Sequence, residues 1–122
     1  MFSIYRKNWI SKNKLVSTYS FLPILNFINN IFISHLHGDH FFGLVGLLSS
    51  FHLLGRTTPL TIFGPPKLKE IILAQFRAAG TFTGYPISFI VTQHKVPQVI
   101  LETETYIVSS FPLKHRIATT GF

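Results

Sequence analysis

Three histidines and an aspartate fall within six consecutive residues, His35-Leu36-His37-Gly38-Asp39-His40, directly after the apolar run Ile31-Phe32-Ile33-Ser34. That run is short, partly β-branched and bounded by Asn30 and Gly38, which reads as a buried strand. Near a strand end His35 and His37, two residues apart, project to the same side. Gly38 is expected to let the backbone turn sharply and so bring Asp39 and His40 round to the same space. A polar turn with solvent-facing histidines is the bland alternative, but strand, spacing and glycine coincide here, which favours converging ligands. Neutral imidazole and carboxylate are ordinary ligands of first-row metals, with zinc the usual occupant. The chain has no Cys, so disulfides and thiolate metal sites are excluded.

Downstream of this motif the apolar spacing sets the element order. Leu44, Leu47, Leu48, Phe51 and Leu54 share one face of a 3.6-residue period, predicting a helix over about 42–54 with Gly55 as its C-terminal cap. A short strand over 60–63 is stopped by Gly64-Pro65-Pro66. A second helix over about 66–79 follows, opened by Pro66 and ended by Gly80, and it buries Leu68, Ile71, Ile72 and Phe76. Strands are expected over 87–92 and 103–111. This order predicts an α/β fold in which helices cover one face of a sheet. Residues 1–29 differ: they are basic, rich in Asn and Ser, and show no sustained period. They form a divergent N-terminal segment, ahead of a domain over 30–122.

Composition narrows the class of protein. The chain has 122 residues, enough for one small domain; 47% are hydrophobic and 13 are Phe, against 12% charged, which excludes intrinsic disorder. The formal net charge is +7, a balance that suits a polyanion such as RNA, although a missing acidic portion would leave the same excess. The apolar stretch from Leu15 to Ile33 is interrupted by Pro23, Asn26, Asn29 and Asn30, and falls short of a membrane span. No small-residue cleavage site follows the basic start, so no export signal is read. The expectation is a cytoplasmic protein without a membrane segment.

His35-x-His37-x-Asp39-His40 after an apolar strand resembles the signature of the metallo-β-lactamase superfamily. The flanks narrow that resemblance to the ribonuclease Z family. They are Phe41-Phe42-Gly43-Leu44-Val45-Gly46-Leu47-Leu48, then Leu54-Gly55-Arg56-Thr57-Thr58-Pro59-Leu60 with Ile62-Phe63-Gly64-Pro65. A third is Phe111-Pro112-Leu113-Lys114-His115-Arg116 with Gly121-Phe122. The resemblance covers about residues 30–122. It implies an αββα sandwich, of which only the N-terminal half is expected in this chain, and a metal site that is usually dinuclear. It further implies that His35, His37 and His115 hold one zinc, that Asp39 and His40 contribute to the second, and that Asp39 is the general base. The implied activity is removal of 3′ trailers from precursor tRNA, by an enzyme that is a homodimer when intact and needs no small-molecule cofactor. Residues that bind substrate are not assigned.

Two departures from that family shape the expectation. Residues 1–30 show neither its opening strand nor its Gly-rich turn. Asp39 is the only Asp in the chain, the other acids being Glu70, Glu102 and Glu104, and none takes the place of the family's bridging aspartate. At most one zinc is therefore expected, on a chain that is incomplete and inactive alone, and whose single layer of strands leaves an apolar face bare. His52 and His94 match no part of the motif and read as structural or exposed. Lys114 and Arg116 flank a ligand and read equally as phosphate contacts or as solvated neighbours. The competing readings are a hydrolase of a small ester or thioester on the same fold, and a non-catalytic remnant that binds RNA or a protein partner.

Overall fold

The structure is a computed structural model that describes residues 2–6, 26–92 and 95–122. Four strands form one sheet: β1 (Phe2–Arg6), β2 (Ile28–Ile33), β3 (Leu60–Gly64) and β4 (Ile87–Val91), in that order. β1 runs antiparallel to β2, whereas β2, β3 and β4 are parallel. Parallel neighbours need a crossover between them, and helices supply it. The short α1 (Gly38–Phe41) and α2 (Gly43–Leu53) link β2 to β3, and α3 (Leu68–Ala78) links β3 to β4. Strands β5 (Gln98–Glu102), β6 (Ile107–Leu113) and β7 (Thr119–Gly121) form an antiparallel second sheet.

Alternation along β2 and β3 explains how the layers stack. Ile31, Ile33, Leu60 and Ile62 point to one face, where they pack with Phe41, Leu44, Leu48, Phe51, Leu68, Ile72 and Phe76 of the helices. Phe32 and Phe63 point the other way, and pack against Val108 and the partly buried Ile100 and Leu101 of the second sheet and Tyr106 of the turn joining its strands. Register sets Phe32 opposite Phe63, so their rings stack at 4.7 Å with 13° between planes. A strand covered on both faces has no polar side, and Ile31-Phe32-Ile33 is accordingly an unbroken apolar run.

Several expectations change here. The chain carries two layers of strands, not one, because residues 98–102 pair with 107–110 as a hairpin; of the strand expected over 103–111, residues 103–106 form the turn and the rest is strand. Thr103 makes that turn, its Oγ accepting the amides of Thr105 and Tyr106 at 3.3 and 3.1 Å. The expectation that residues 1–30 lack an opening strand also fails, since Phe2–Arg6 pairs with β2. Pro66 lies before the second long helix and not at its first position, Lys67 being the N-cap. Leu54, placed on the buried face of α2, is 44% exposed. Gly55 and Gly80 do end their helices in the left-handed region, at φ 76° and 58°. Among the described residues no helix is long and apolar enough to cross a membrane. Most of the stretch from Leu15, and His94, lie outside the described residues.

Arg56 locks the entry to β3. It is buried, donates from Nε to the Thr58 carbonyl at 2.9 Å and from Nη2 to that of Pro59 at 2.8 Å, and lies over the Phe51 and Tyr85 rings. Tyr85 in turn donates its hydroxyl to the Leu48 carbonyl at 2.9 Å. Burial of that phenol pushes its pKa up to about 12, against the opposing pull of Arg56, so it stays a donor at neutral pH.

Candidate metal centre

His35 and His37 follow the end of β2, while His115 sits in the loop between β6 and β7. What joins these distant segments is a backbone bond: the Thr120 amide of β7 donates to the Ser34 carbonyl at 3.0 Å. The Thr120 hydroxyl also donates to the Thr92 carbonyl at 3.2 Å, which ties the same strand to the end of β4. With β7 anchored there, its preceding loop presents His115 to the motif. One ring nitrogen from each of His35, His37 and His115 then lies within 4.8 Å of the others.

Hydrogen bonds link the rings of this cluster to each other and to Ser34. His35 Nδ1 lies 2.9 Å from the Ser34 hydroxyl and His35 Nε2 lies 3.0 Å from His37 Nδ1. If Nδ1 of His35 carries its proton toward Ser34, Nε2 is left as a lone pair facing the cluster, which is the arrangement that a metal-binding imidazole needs. Sequence reasoning did not single out Ser34, whose hydroxyl lies 2.9 Å from His35 Nδ1; its only signal is a hydroxyl directly before the first histidine. His115 carries an opposing constraint. Its Nδ1 accepts the Arg116 amide at 2.7 Å, and a neutral imidazole accepting there keeps its proton on Nε2. Ligation through Nε2 therefore requires that bond to open and the tautomer to change.

Electrostatics favour the neutral state that a ligand requires. Burial, with His35 only 3% exposed, and then the neighbouring His40, His37 and His115 hold its pKa below the ordinary imidazole value, while Asp39 pulls weakly the other way. Tetrahedral zinc would space its ligand nitrogens about 3.3 Å apart, given metal–nitrogen bonds of about 2.0–2.1 Å. The three histidines offer nitrogens within 4.8 Å of one another, wider than that spacing. The donor set itself fits a transition metal that prefers imidazole.

Asp39 and His40 stand beside this cluster and not in it. Their side chains pair, Asp39 Oδ2 to His40 Nε2 at 3.3 Å, with the Asp39 side chain 79% exposed and that of His40 23% exposed. The His40 ring centroid lies 4.0 Å from that of His35, so both groups border the same space. Gly38 reaches this geometry differently from the expected sharp turn. It is the first residue of α1, and a Cβ there would come within 2.4 Å of the Phe42 ring; the glycine makes room for that ring. His52 is structural, as expected: its Nδ1 accepts the Gly84 amide at 3.0 Å and its ring lies 5.1 Å from Phe82. Lys114 and Arg116 are exposed in the His115 loop.

Comparison with known proteins gives the chain a lineage. No protein-family model matches the chain. Ribonuclease Z of Lactiplantibacillus plantarum is 44% identical over 97 residues, covering 78% of this chain and 30% of its own length. Ribonuclease Z of Methanococcus maripaludis is 42% identical over 95 residues, covering 78% of this chain and 31% of that protein. The crystal structure of human tRNase Z, short form, superposes with a TM-score of 0.66 at 28% identity, covering 79% of this chain and 44% of that one. The chain thus spans about 30% of the length of the curated relatives it matches. Over that stretch the chain is a homologue of ribonuclease Z.

Proposed function

We infer that this chain is the metal-binding part of a zinc-dependent endoribonuclease that removes 3′ trailers from precursor tRNA in the cytoplasm. The observation that carries the reading is the convergence of His35, His37 and His115 within 4.8 Å, in a chain whose curated relatives bear the name ribonuclease Z. In this reading its two sheets and one helical layer are part of an αββα sandwich.

His35, His37 and His115 would hold one zinc, and Asp39 and His40 would contribute to a second. A bound metal supplies Lewis-acid activation of water and of the phosphoryl group. In the cleavage, a water oxygen bonds to phosphorus and the P–O3′ bond breaks. The tRNA keeps a 3′ hydroxyl and the trailer keeps the phosphate. Asp39 takes the water's proton, and the departing oxygen gains one from solvent, so one water is consumed. The exposed Asp39 carboxylate, paired with His40 at 3.3 Å, is accessible for that role; general-base help of this kind is worth about 10²- to 10⁴-fold. No other Asp is present to bridge two metals, so the isolated chain should hold at most one zinc tightly and cleave below detection.

The test is a chimera in which residues 30–122 replace the matching stretch of the Lactiplantibacillus plantarum enzyme, assayed on labelled precursor tRNA with zinc or manganese. Cleavage by the chimera, lost on Asp39→Ala, is the expected result. A folded, metal-loaded chimera without cleavage would overturn the reading. Salt-dependent tRNA binding by such a chimera would then favour a non-catalytic RNA-binding remnant. A thioesterase or lactamase reading has no support from the relatives, and a parallel thioester assay on the same chimera is expected to be blank.

A further inference from the structure

Two bonds meet at Ser34, one at its side chain and one at its backbone. Its hydroxyl lies 2.9 Å from Nδ1 of His35, and its carbonyl accepts the Thr120 amide at 3.0 Å. The residue therefore touches both segments that bring histidines together. One is the end of β2, which leads into His35 and His37; the other is β7, which follows the loop carrying His115. Only the first of these bonds depends on the side chain being serine.

That bond bears on which nitrogen of His35 is free. The hydroxyl occupies Nδ1, so Nε2 is the atom left to face the cluster, 3.0 Å from Nδ1 of His37. With no metal bound, one proton can lie between those two facing nitrogens. A metal needs a lone pair on each of them. The proton of neutral His35 must then sit on Nδ1, where it needs an acceptor. His35 is only 3% exposed, so bulk water is a poor substitute, and a buried donor without an acceptor is costly. A serine hydroxyl has one donor and two acceptor lone pairs and rotates to suit. It can donate to Nδ1 in one tautomer and accept from it in the other, whereas alanine can do neither.

We propose that Ser34 is a positioning residue for the metal centre, its hydroxyl accepting the Nδ1 proton of His35 and so aiming the Nε2 lone pair at the space shared with His37 and His115. The proposal rests on the metal-binding reading of the three histidines and adds a residue that itself touches no metal. Without the hydroxyl, loading the site strands a buried N–H, a cost that the metal-free chain avoids by moving the proton. The effect therefore falls on metal affinity, while the backbone bond to Thr120 is untouched by a side-chain change.

The experiment measures zinc affinity of the full chain by competition with a chromophoric chelator, for the unmodified protein, Ser34→Ala and Ser34→Thr. Ring-nitrogen resonances of His35 are recorded in the zinc-loaded state. Ser34→Ala should bind zinc about 10- to 100-fold more weakly, as expected when the outer partner of a ligating imidazole is lost. Ser34→Thr keeps a hydroxyl and should recover most of that affinity. In the unmodified chain Nδ1 of His35 should carry a proton that exchanges slowly with solvent, and Nε2 should carry none; in Ser34→Ala that proton should exchange fast. A packing defect alone would lower the melting temperature without changing this exchange or being rescued by threonine. The resonances of the unmodified chain test the proposal even if Ser34→Ala does not fold. Unchanged affinity in folded Ser34→Ala, a threonine variant as weak as the alanine one, or a zinc-loaded His35 protonated on Nε2 would each overturn the role of Ser34 alone. No zinc binding by the unmodified chain, or binding that survives His37→Ala, would overturn the metal reading beneath it.

Discussion

The Thr120 amide donates to the Ser34 carbonyl at 3.0 Å, and this bond between the last strand and the end of β2 is what carries His115 to His35 and His37. Thr120→Pro removes the donor without touching a histidine. Metal affinity should fall about 10- to 100-fold, as it does when other supports of ligand orientation are lost. Affinity measured by competition with a chromophoric chelator decides this; an unchanged value would mean that the β6–β7 loop places His115 unaided.

Metal stoichiometry follows from the same three rings. Purified chain should retain at most about one zinc after dialysis. His37→Ala should abolish tight binding, because two imidazoles are too few, whereas His52→Ala should leave it intact, since His52 instead accepts the Gly84 amide. Elemental analysis showing two tightly held zincs would point to a second complete ligand set.

Acid should destabilise the metal-free chain through His35. Its folded pKa lies below the unfolded value of 6.5, chiefly because of burial, so between those two values the unfolded chain binds the extra proton. The stabilising contribution is complete above pH 6.5 and shrinks as pH falls from 6.5 toward the folded pKa. Denaturant midpoints at pH 7.5 and 5.5 should drop less for His35→Asn than for the unmodified chain; equal drops would show that another group controls the loss.

The second sheet carries its apolar outer face into solvent. Val99 pairs with Ser109, and alternation along β6 puts Ile107, Phe111 and Leu113 on that same side, with exposures of 57, 60, 39 and 48% for the four apolar residues in sequence order. The bare face expected from a single layer of strands is therefore found on the outside of the second layer. Contiguous apolar surface of this kind favours association. Light scattering should show self-association that Val99→Lys with Ile107→Lys reduces, and a monodisperse unmodified monomer would count against it.

Ser110 is fully buried between the sheets, and among the described residues its hydroxyl finds no hydrogen-bond partner. An unsatisfied buried hydroxyl costs about 1–3 kcal/mol. Ser110→Ala should thus be at least as stable as the unmodified chain in thermal melts; a clear loss of stability would reveal a partner for that oxygen.

Local chemistry determined much of this protein. The run Ile31-Phe32-Ile33 had to be a strand buried on both faces, and Leu44, Leu48 and Phe51 had to line one side of a helix. Gly55 and Gly80 had to end helices, because each feature depends on residues only a few positions apart. His35 and His37 could be paired for the same reason. Tertiary structure decided the rest. Residues 2–6 become a strand only by pairing with β2, and Gln98–Glu102 only by pairing with β6, neither of which leaves a periodic signal strong enough to read alone. Asp39 and His40 sit beside the cluster because α1 starts at Gly38, so the chain continues as helix where a sharp turn was expected. His115 is 78 residues beyond His37, and spacing along the chain says nothing about whether such distant groups meet. That meeting depends on a hairpin register and on one amide reaching the Ser34 carbonyl.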